Sequence, residues 1–158
     1  MLFEPIDLRS VRLPNRIVVA PMTQFSAPDG VAGDWHMVHL GQYATSGAAL
    51  VLTESTYVAS NARNARSCLS IYSDEQEAGI GRIAQFYNDH GGATFGVQLC
   101  HGGRKASARE PWDGGGPLPI SEGGYEAWAP SAVPISDDWP APTPLTSETI
   151  GDVIPVSY

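Results

Sequence analysis

Gln98, His101, Arg104 and Lys105 gather in one short run, Thr94–Phe95–Gly96–Val97–Gln98–Leu99–Cys100–His101–Gly102–Gly103–Arg104–Lys105. An amide that both donates and accepts, an imidazole and two cations at one turn have the chemistry to hold a polar ligand edge. The apolar run before them, bounded by glycine, reads as a buried strand. In barrels of alternating strands and helices, ligands and chemistry collect where a strand's C-terminal end meets its loop. The cluster therefore reads as a site lining. Taken alone, Gln98 could equally satisfy loop backbone groups, and Arg104 with Lys105 could equally form an exposed charge pair.

The elements that position this cluster follow from the same patterning. Residues 2–13 alternate apolar and polar across a turn and predict an antiparallel hairpin, a lid over residues 1–15. Residues 16–20 are a β-branched run stopped by Pro21, a first core strand, followed by loop chemistry to Gly33. Asp34 is placed to cap a helix running to Gly47, with Trp35, Val38, Leu40/Gly41 and Tyr43 at helical spacing. Residues 48–54 are near-continuously apolar, as in parallel strands covered on both faces. Ser73 and Gln76 form a capping pair that opens a helix over 74–89, with Ile80, Ile83, Ala84 and Tyr87 as its stripe. Residues 94–100 are the third strand. This order, a βαβαβ unit over 16–100, predicts parallel strands joined by helical crossovers. A long segment without helical period follows over 101–145, and loops of that length are usually functional. Residues 146–154 start like a capped helix that Pro155 interrupts.

Bulk properties narrow the function. The chain has 158 residues and a formal net charge of −8, which argues against nucleic acid, since phosphate binding needs concentrated Lys and Arg. Lys105 is the only lysine. No apolar run approaches the roughly 20 residues of a membrane helix, and the first residues lack a basic segment leading into an apolar one. Cys68 and Cys100 are too few and too far apart for a disulfide framework or a zinc site. A reducing cytoplasm is the expected compartment. His36 and His39 share a helix face beside Asp34, but no further ligand is spaced to complete a metal site. Gly102–Gly103 lacks the spacing of a Walker loop. Cys100 reads as a packing residue. Trp112, Trp128 and Trp139 either cover a site or anchor the long segment.

Four motifs now combine: Asn15–Arg16–Ile17–Val18–Val19–Ala20–Pro21–Met22–Thr23, Asp34–Trp35–His36–Met37–Val38–His39, Thr53–Glu54–Ser55, and Gln98–Leu99–Cys100–His101–Gly102–Gly103–Arg104–Lys105. In this order and spacing they resemble the N-terminal half of the old yellow enzyme family, in particular its bacterial, thermophilic-like branch. Family members are FMN-dependent, NAD(P)H-using ene-reductases on an eight-fold (β/α) TIM barrel. Such a barrel takes roughly 250 residues or more, so this chain is expected to hold only its first three units, as a truncated piece. The resemblance implies that Pro21, Met22 and Thr23 lie against the FMN ring, with Thr23 near the flavin O4 and N5. It implies that Ser55, after the second strand, approaches the same edge through its backbone, and that Gln98 meets the pyrimidine end. It further places Phe25, His101 and Arg104 in the substrate pocket.

The chemistry agrees with those roles. An amide matches the alternating donors and acceptors of a pyrimidine edge, and a hydroxyl donor at O4 stabilises charge on the reduced ring. The branch usually has cysteine where Thr23 stands and tyrosine where Phe25 stands; threonine is what the other main branch uses at the first position. Thr23 can also be read as a plain turn hydroxyl. The family's substrate-activating His-x-x-His or His-x-x-Asn pair, its proton-donating tyrosine and its phosphate-gripping loops fall outside the matched half, so no catalytic residue is expected in this chain. With NAD(P)H as reductant and an activated alkene as substrate, the intact parent is expected to be an oxidoreductase. A competing expectation is a non-catalytic half barrel that self-associates into a homo-oligomer or binds flavin weakly. An open doubly wound sheet of flavodoxin type would want glycine for phosphate approach after the first strand, and Pro21–Met22–Thr23–Gln24 offers none.

Overall fold

Runs of aliphatic and β-branched residues between turn-forming ones become the strands of a computed structural model that describes residues 1–153. The helix break expected at Pro155 lies outside the described residues. A hairpin of β1 (Ile6–Leu8) and β2 (Val11–Leu13) pairs Ile6 with Leu13. Of these strand residues only Leu13 is fully buried, while Leu8 and Val11 remain exposed. Next come β3 (Val18–Val19), α1 (Asp34–Ala44), β4 (Leu50–Tyr57), α2 (Asp74–His90) and β5 (Thr94–Cys100). The three strands form one parallel sheet in the order β3-β4-β5. Among the described residues no helix is long and apolar enough to cross a membrane.

Three expectations need correction. The first core strand shrinks to Val18–Val19, because only these residues pair with Leu50 and Val51 of β4. The second strand runs on to Tyr57 instead of ending at Glu54, so Ser55 lies inside it. Helix α1 is rotated from the expected stripe: His36, Leu40, Gly41 and Ala44 are buried, while Trp35 and Val38 are exposed. The buried set follows an i, i+4, i+8 line, beginning with a histidine that a simple apolar pattern counts as polar. Gly33, not Asp34, caps this helix, and the Gly33 N–H donates to His36 Nδ1 at 3.3 Å. Asp34 instead pairs with Arg82 of α2 at 2.8 Å.

Helix α2 forms nearly as its sequence dictates. Ser73 Oγ accepts from Gln76 N–H, and Ile80, Ile83 and Tyr87 bury. Gln76 departs from a full capping box, since its side chain accepts from Tyr72 N–H and donates to Asp29 O, both at 2.9 Å. The Tyr87 hydroxyl donates to Leu40 O at 2.7 Å and ties the two helices together; burial raises its pKa to about 12. Between the helices and the sheet lies the main core, including Leu40, Val51, Leu69, Ile80, Ile83 and Tyr87. At ~1.5–3 kcal/mol for each large apolar side chain buried, this cluster is the chief favourable term against chain entropy.

The long segment after β5 has almost no regular structure. It contains isolated 3-10 turns and one short parallel pair, β6 (Trp128–Ala129) with β7 (Thr143–Pro144). Helix α3 covers only Ile150–Val153, shorter than expected, although Thr146 and Thr149 exchange hydrogen bonds as a capping pair does. Side-chain anchors replace regular ladders. Ser107, buried at φ 61°, donates from Oγ to Leu118 O at 3.0 Å and accepts from Tyr125 N–H at 2.9 Å. The Tyr125 hydroxyl donates to Arg63 O. Glu110, also buried, accepts from Ser67 Oγ at 2.9 Å and from Ser67 N–H at 3.3 Å.

Two outcomes follow. A Cβ at Gly124 would lie 2.0 Å from Leu118 O and 2.6 Å from Ser107 Oγ, so Gly124→Ala is expected to destabilise the segment by about 1–3 kcal/mol, read as a lowered thermal midpoint. Burial alone would raise the Glu110 pKa, but hydrogen bonds from its own backbone and from Ser67, with Arg66 nearby, outweigh it and hold the carboxyl below its ordinary value. A depressed carboxyl contributes stability above its unfolded pKa of about 4.3 and loses it as pH falls through the folded value. Acid unfolding followed by tryptophan fluorescence is expected to be shallower in Glu110→Gln below about pH 4.

Candidate functional site

The C-terminal ends of three parallel strands bring the sequence-selected residues to one side of the sheet. Gln98 on β5 stands opposite Ser55 on β4 in register. Ser55 Oγ donates to Gln98 Oε1 at 3.1 Å, and the Gln98 N–H donates to Thr53 Oγ1 at 3.1 Å. Both the side chain and the backbone of Gln98 are thus held by the neighbouring strand. Its Nε2 has no partner among the described residues, and the residue is exposed, so the amide is free to donate outward.

Between Leu52↔Gly96 and Ser55↔Gln98, β4 carries one residue more than β5. This bulge, unusual in a parallel pair, breaks the two-residue alternation so that Thr53 and Glu54 are both buried. Thr53 Oγ1 lies 2.9 Å from Thr56 Oγ1, and Thr56 Oγ1 donates to Glu54 O at 2.9 Å. Hydroxyls thereby satisfy backbone groups that the irregular ladder leaves open.

Pro21, Met22 and Thr23 follow β3 directly, and Met22 and Thr23 are exposed. Thr23 Oγ1 has no hydrogen-bond partner among the described residues. The loop is fastened one residue later. Gln24 N–H donates to Glu54 Oε2 at 3.0 Å, Gln24 Nε2 donates to Met22 O at 2.8 Å, and Trp35 Nε1 donates to Gln24 Oε1 at 3.1 Å. The other oxygen of Glu54 accepts from His36 Nε2 at 3.1 Å, with both side chains almost wholly buried.

Phe25 takes a left-handed φ of 48° and meets Trp112 edge-on, with ring centroids 5.8 Å apart. The backbone cost is ~1–2 kcal/mol. An aromatic pair contributes ~0.5–1.5 kcal/mol, so contact with the second core cluster, Tyr57, Ala62, Ala65 and Cys68, supplies the balance. Trp112 therefore links the long segment to the loop after β3.

His101 folds back on its own turn. Its Nδ1 accepts from Gly103 N–H at 3.0 Å, which leaves the ring proton on Nε2. That atom and Asn64 Oδ1 are buried without partners, and burial lowers the His101 pKa, so the ring is neutral at pH 7. Arg104 and Lys105 are exposed. Arg104 lines a cleft of about 390 Å³ with Ser107, Leu118, Tyr125 and Trp139. Gln98, Ser55 and Thr23 do not line it. His39 packs edge-on against Tyr43, and burial lowers its pKa. Among the described residues no group of three His, Cys, Asp or Glu could hold a metal ion.

Sequence reasoning passed over Gln24 and gave Glu54 no task. An acid inside a strand as apolar as β4 is itself a signal, since acids are almost never fully buried unless paired. His36 beside it completes the pairing.

The arrangement offers one amide with free N–H groups, one free hydroxyl and nearby backbone groups along a flat sheet end. That donor set fits the edge of a planar heterocycle with alternating donors and acceptors. An NADPH dehydrogenase of Geobacillus sp. (strain WCH70) is 35% identical over 98% of this chain and 41% of its own length. An NADH:flavin oxidoreductase of Gibberella zeae is 40% identical over 70% of this chain and 26% of its own. Among solved structures, morphinone reductase superposes with a TM-score of 0.78 at 27% identity, over 96% of this chain and 41% of that one. Old Yellow Enzyme from Pichia sp. AKU4542 gives 0.77 at 27%, over 96% and 39%. The chain thus spans about two fifths of the length of these full-coverage matches. Its βαβαβ unit and hairpin are a portion of a TIM barrel. Residues 1–132 match the family profile, and the chain belongs to the NADH:flavin oxidoreductase / NADH oxidase family.

Proposed function

We propose that this chain forms the ring-holding face of an FMN-dependent, NAD(P)H-using oxidoreductase of ene-reductase type. The observation that carries the reading is Gln98, clamped to β4 through Ser55 Oγ and Thr53 Oγ1 with its Nε2 free among the described residues. In this reading Gln98 donates to the pyrimidine edge of the flavin, the Thr23 hydroxyl donates near O4 and N5, and Ser55 contributes its backbone. Pro21 and Met22 lie against the ring. Phe25, His101 and Arg104 border the substrate side. When bound, FMN supplies the chemistry, hydride exchange between NAD(P)H and a small activated alkene. The chain's own residues orient the ring and complement the charge that gathers on its carbonyl edge. No residue here is assigned as proton donor. The acidic net charge of −8 favours small molecules over nucleic acid as partners, and two free thiols suit a reducing cytoplasm.

A second reading is a non-catalytic half barrel that self-associates. The specific observation behind it is the open edge. The outer edges of β3 and β5 have no strand partner among the described residues, and Val18 and Leu99 are 47% and 65% exposed. Open edges with apolar side chains invite pairing with another chain.

One experiment separates the two. The 158-residue chain is mixed with FMN and passed through gel filtration. Retained yellow absorbance at monomer size is expected, with Gln98→Ala weakening FMN affinity about tenfold, the loss of one good hydrogen bond. Colourless protein at twice the monomer size would favour the second reading.

A further inference from the structure

Glu54 is the only acid in the three-stranded sheet, and none of the ring contacts above uses it. Burying a carboxylate is costly unless its oxygens are paired. Both are. Oε1 accepts from His36 Nε2 at 3.1 Å and Oε2 accepts from Gln24 N–H at 3.0 Å. The tautomer is fixed as well: His36 Nδ1 accepts from Gly33 N–H, so the ring proton sits on Nε2 and points at Glu54. A continuous line of hydrogen bonds thus runs from the first turn of α1, through the bulge of β4, to the loop after β3.

That line ends one residue beyond Thr23, whose hydroxyl has no partner among the described residues. Gln24 repeats the fastening with its side chain, donating to Met22 O and accepting from Trp35 Nε1. Trp35 lies in the same first turn of α1 as His36. Two neighbouring residues of one helix therefore fix the loop, one directly and one through Glu54. We propose that Glu54, oriented by His36, is the positioning residue that holds Pro21, Met22 and Thr23 at the ring-facing end of the sheet. A bulge that turns a side chain inward beside a site is a recurrent device; here it delivers a carboxylate to a backbone amide of the neighbouring loop. The proposal rests on the reading of Pro21, Met22 and Thr23 as flavin contacts.

The test compares wild type, Glu54→Gln and Glu54→Asp by amide hydrogen exchange and by FMN titration. Glu54→Gln keeps the shape but sets an amide against a histidine that can only donate or a backbone that can only donate. Exchange at Gln24 is expected to accelerate about tenfold or more, while amides of Leu52 and Thr94, the latter bonded to Ala49 O at 2.8 Å, keep their protection. FMN affinity is expected to fall about tenfold, with a shift of the flavin absorbance band; Glu54→Asp, which keeps the charge, is expected to recover part of both. If Glu54→Gln fails to fold, His36→Phe keeps a ring in the core and removes the Nε2 donor to Glu54 together with the Nδ1 acceptor of Gly33 N–H, and the same acceleration at Gln24 is expected. Unchanged Gln24 exchange, or equal acceleration at every amide, would overturn the proposal by reducing Glu54 to general stability. Wild-type chain that takes up no FMN would overturn the ring-site reading alone, because the exchange pattern still decides whether Glu54 positions the loop.

Discussion

β4 carries one more residue than β5 between Leu52 and Ser55, and the site-bearing end of the sheet follows from that insertion. A regular strand would place alternate residues on opposite faces. The extra residue buries both Thr53 and Glu54 and leaves Ser55 opposite Gln98. Were the register uninterrupted, the carboxylate and the Gln98 partner would fall on the wrong faces. The bulge is stable because its neighbours carry hydroxyls at the right places. Thr53 takes the Gln98 N–H and Thr56 reaches the Glu54 carbonyl, so the broken ladder leaves these backbone groups paired. At about 1 kcal/mol net for each such bond, and more for each buried group left unpaired, these hydroxyls matter more than their size suggests.

Much of this architecture is legible in residue order. β5 forms over Thr94–Cys100 as its apolar run dictates, and α2 starts after Ser73 and buries the stripe of Ile80, Ile83 and Tyr87. Both are cases where local chemistry and tertiary demand agree. Where they part, the sequence pattern misleads. The polar residues Ser55 and Thr56 lie beyond the expected strand end, yet they are strand, with their hydroxyls bonded within the sheet. Trp35 and Val38 read as core, yet they face solvent, because α1 turns His36 toward Glu54. A pattern that sorts residues only as apolar or polar cannot anticipate a buried pair of opposite hydrogen-bonding character.

Gln98 and Ser55 stand side by side, while His101 folds onto its own turn and Arg104 lines a neighbouring cleft. The reason lies in the double glycine. Gly102 fits where a Cβ would stand 2.6 Å from Ala62 O and Asn64 Oδ1, and Gly103 takes φ 57°. This tight turn folds His101 onto its own backbone and sets Arg104 beside Ser107 and Tyr125. Adjacency in sequence is thus broken by two residues that permit a reversal. The segment beyond is opaque for a related reason. Ser107, Glu110 and Tyr125 hold it by side-chain to backbone bonds, which have no period to read.

The central place of β4 also orders events in time. Among the described residues it is the only strand that pairs on both sides, and each neighbour reaches it across an intervening helix. Both pairings are therefore non-local, and each must overcome loop-closure entropy before it returns any free energy. The helices themselves are local, whereas the Tyr87 hydroxyl on Leu40 O joins residues 47 apart and so meets the same closure cost as the strand pairings. The irregular register of β4 is defined only by its pairing with β5, which decides which residue is the extra one. Folding and site assembly then share that step.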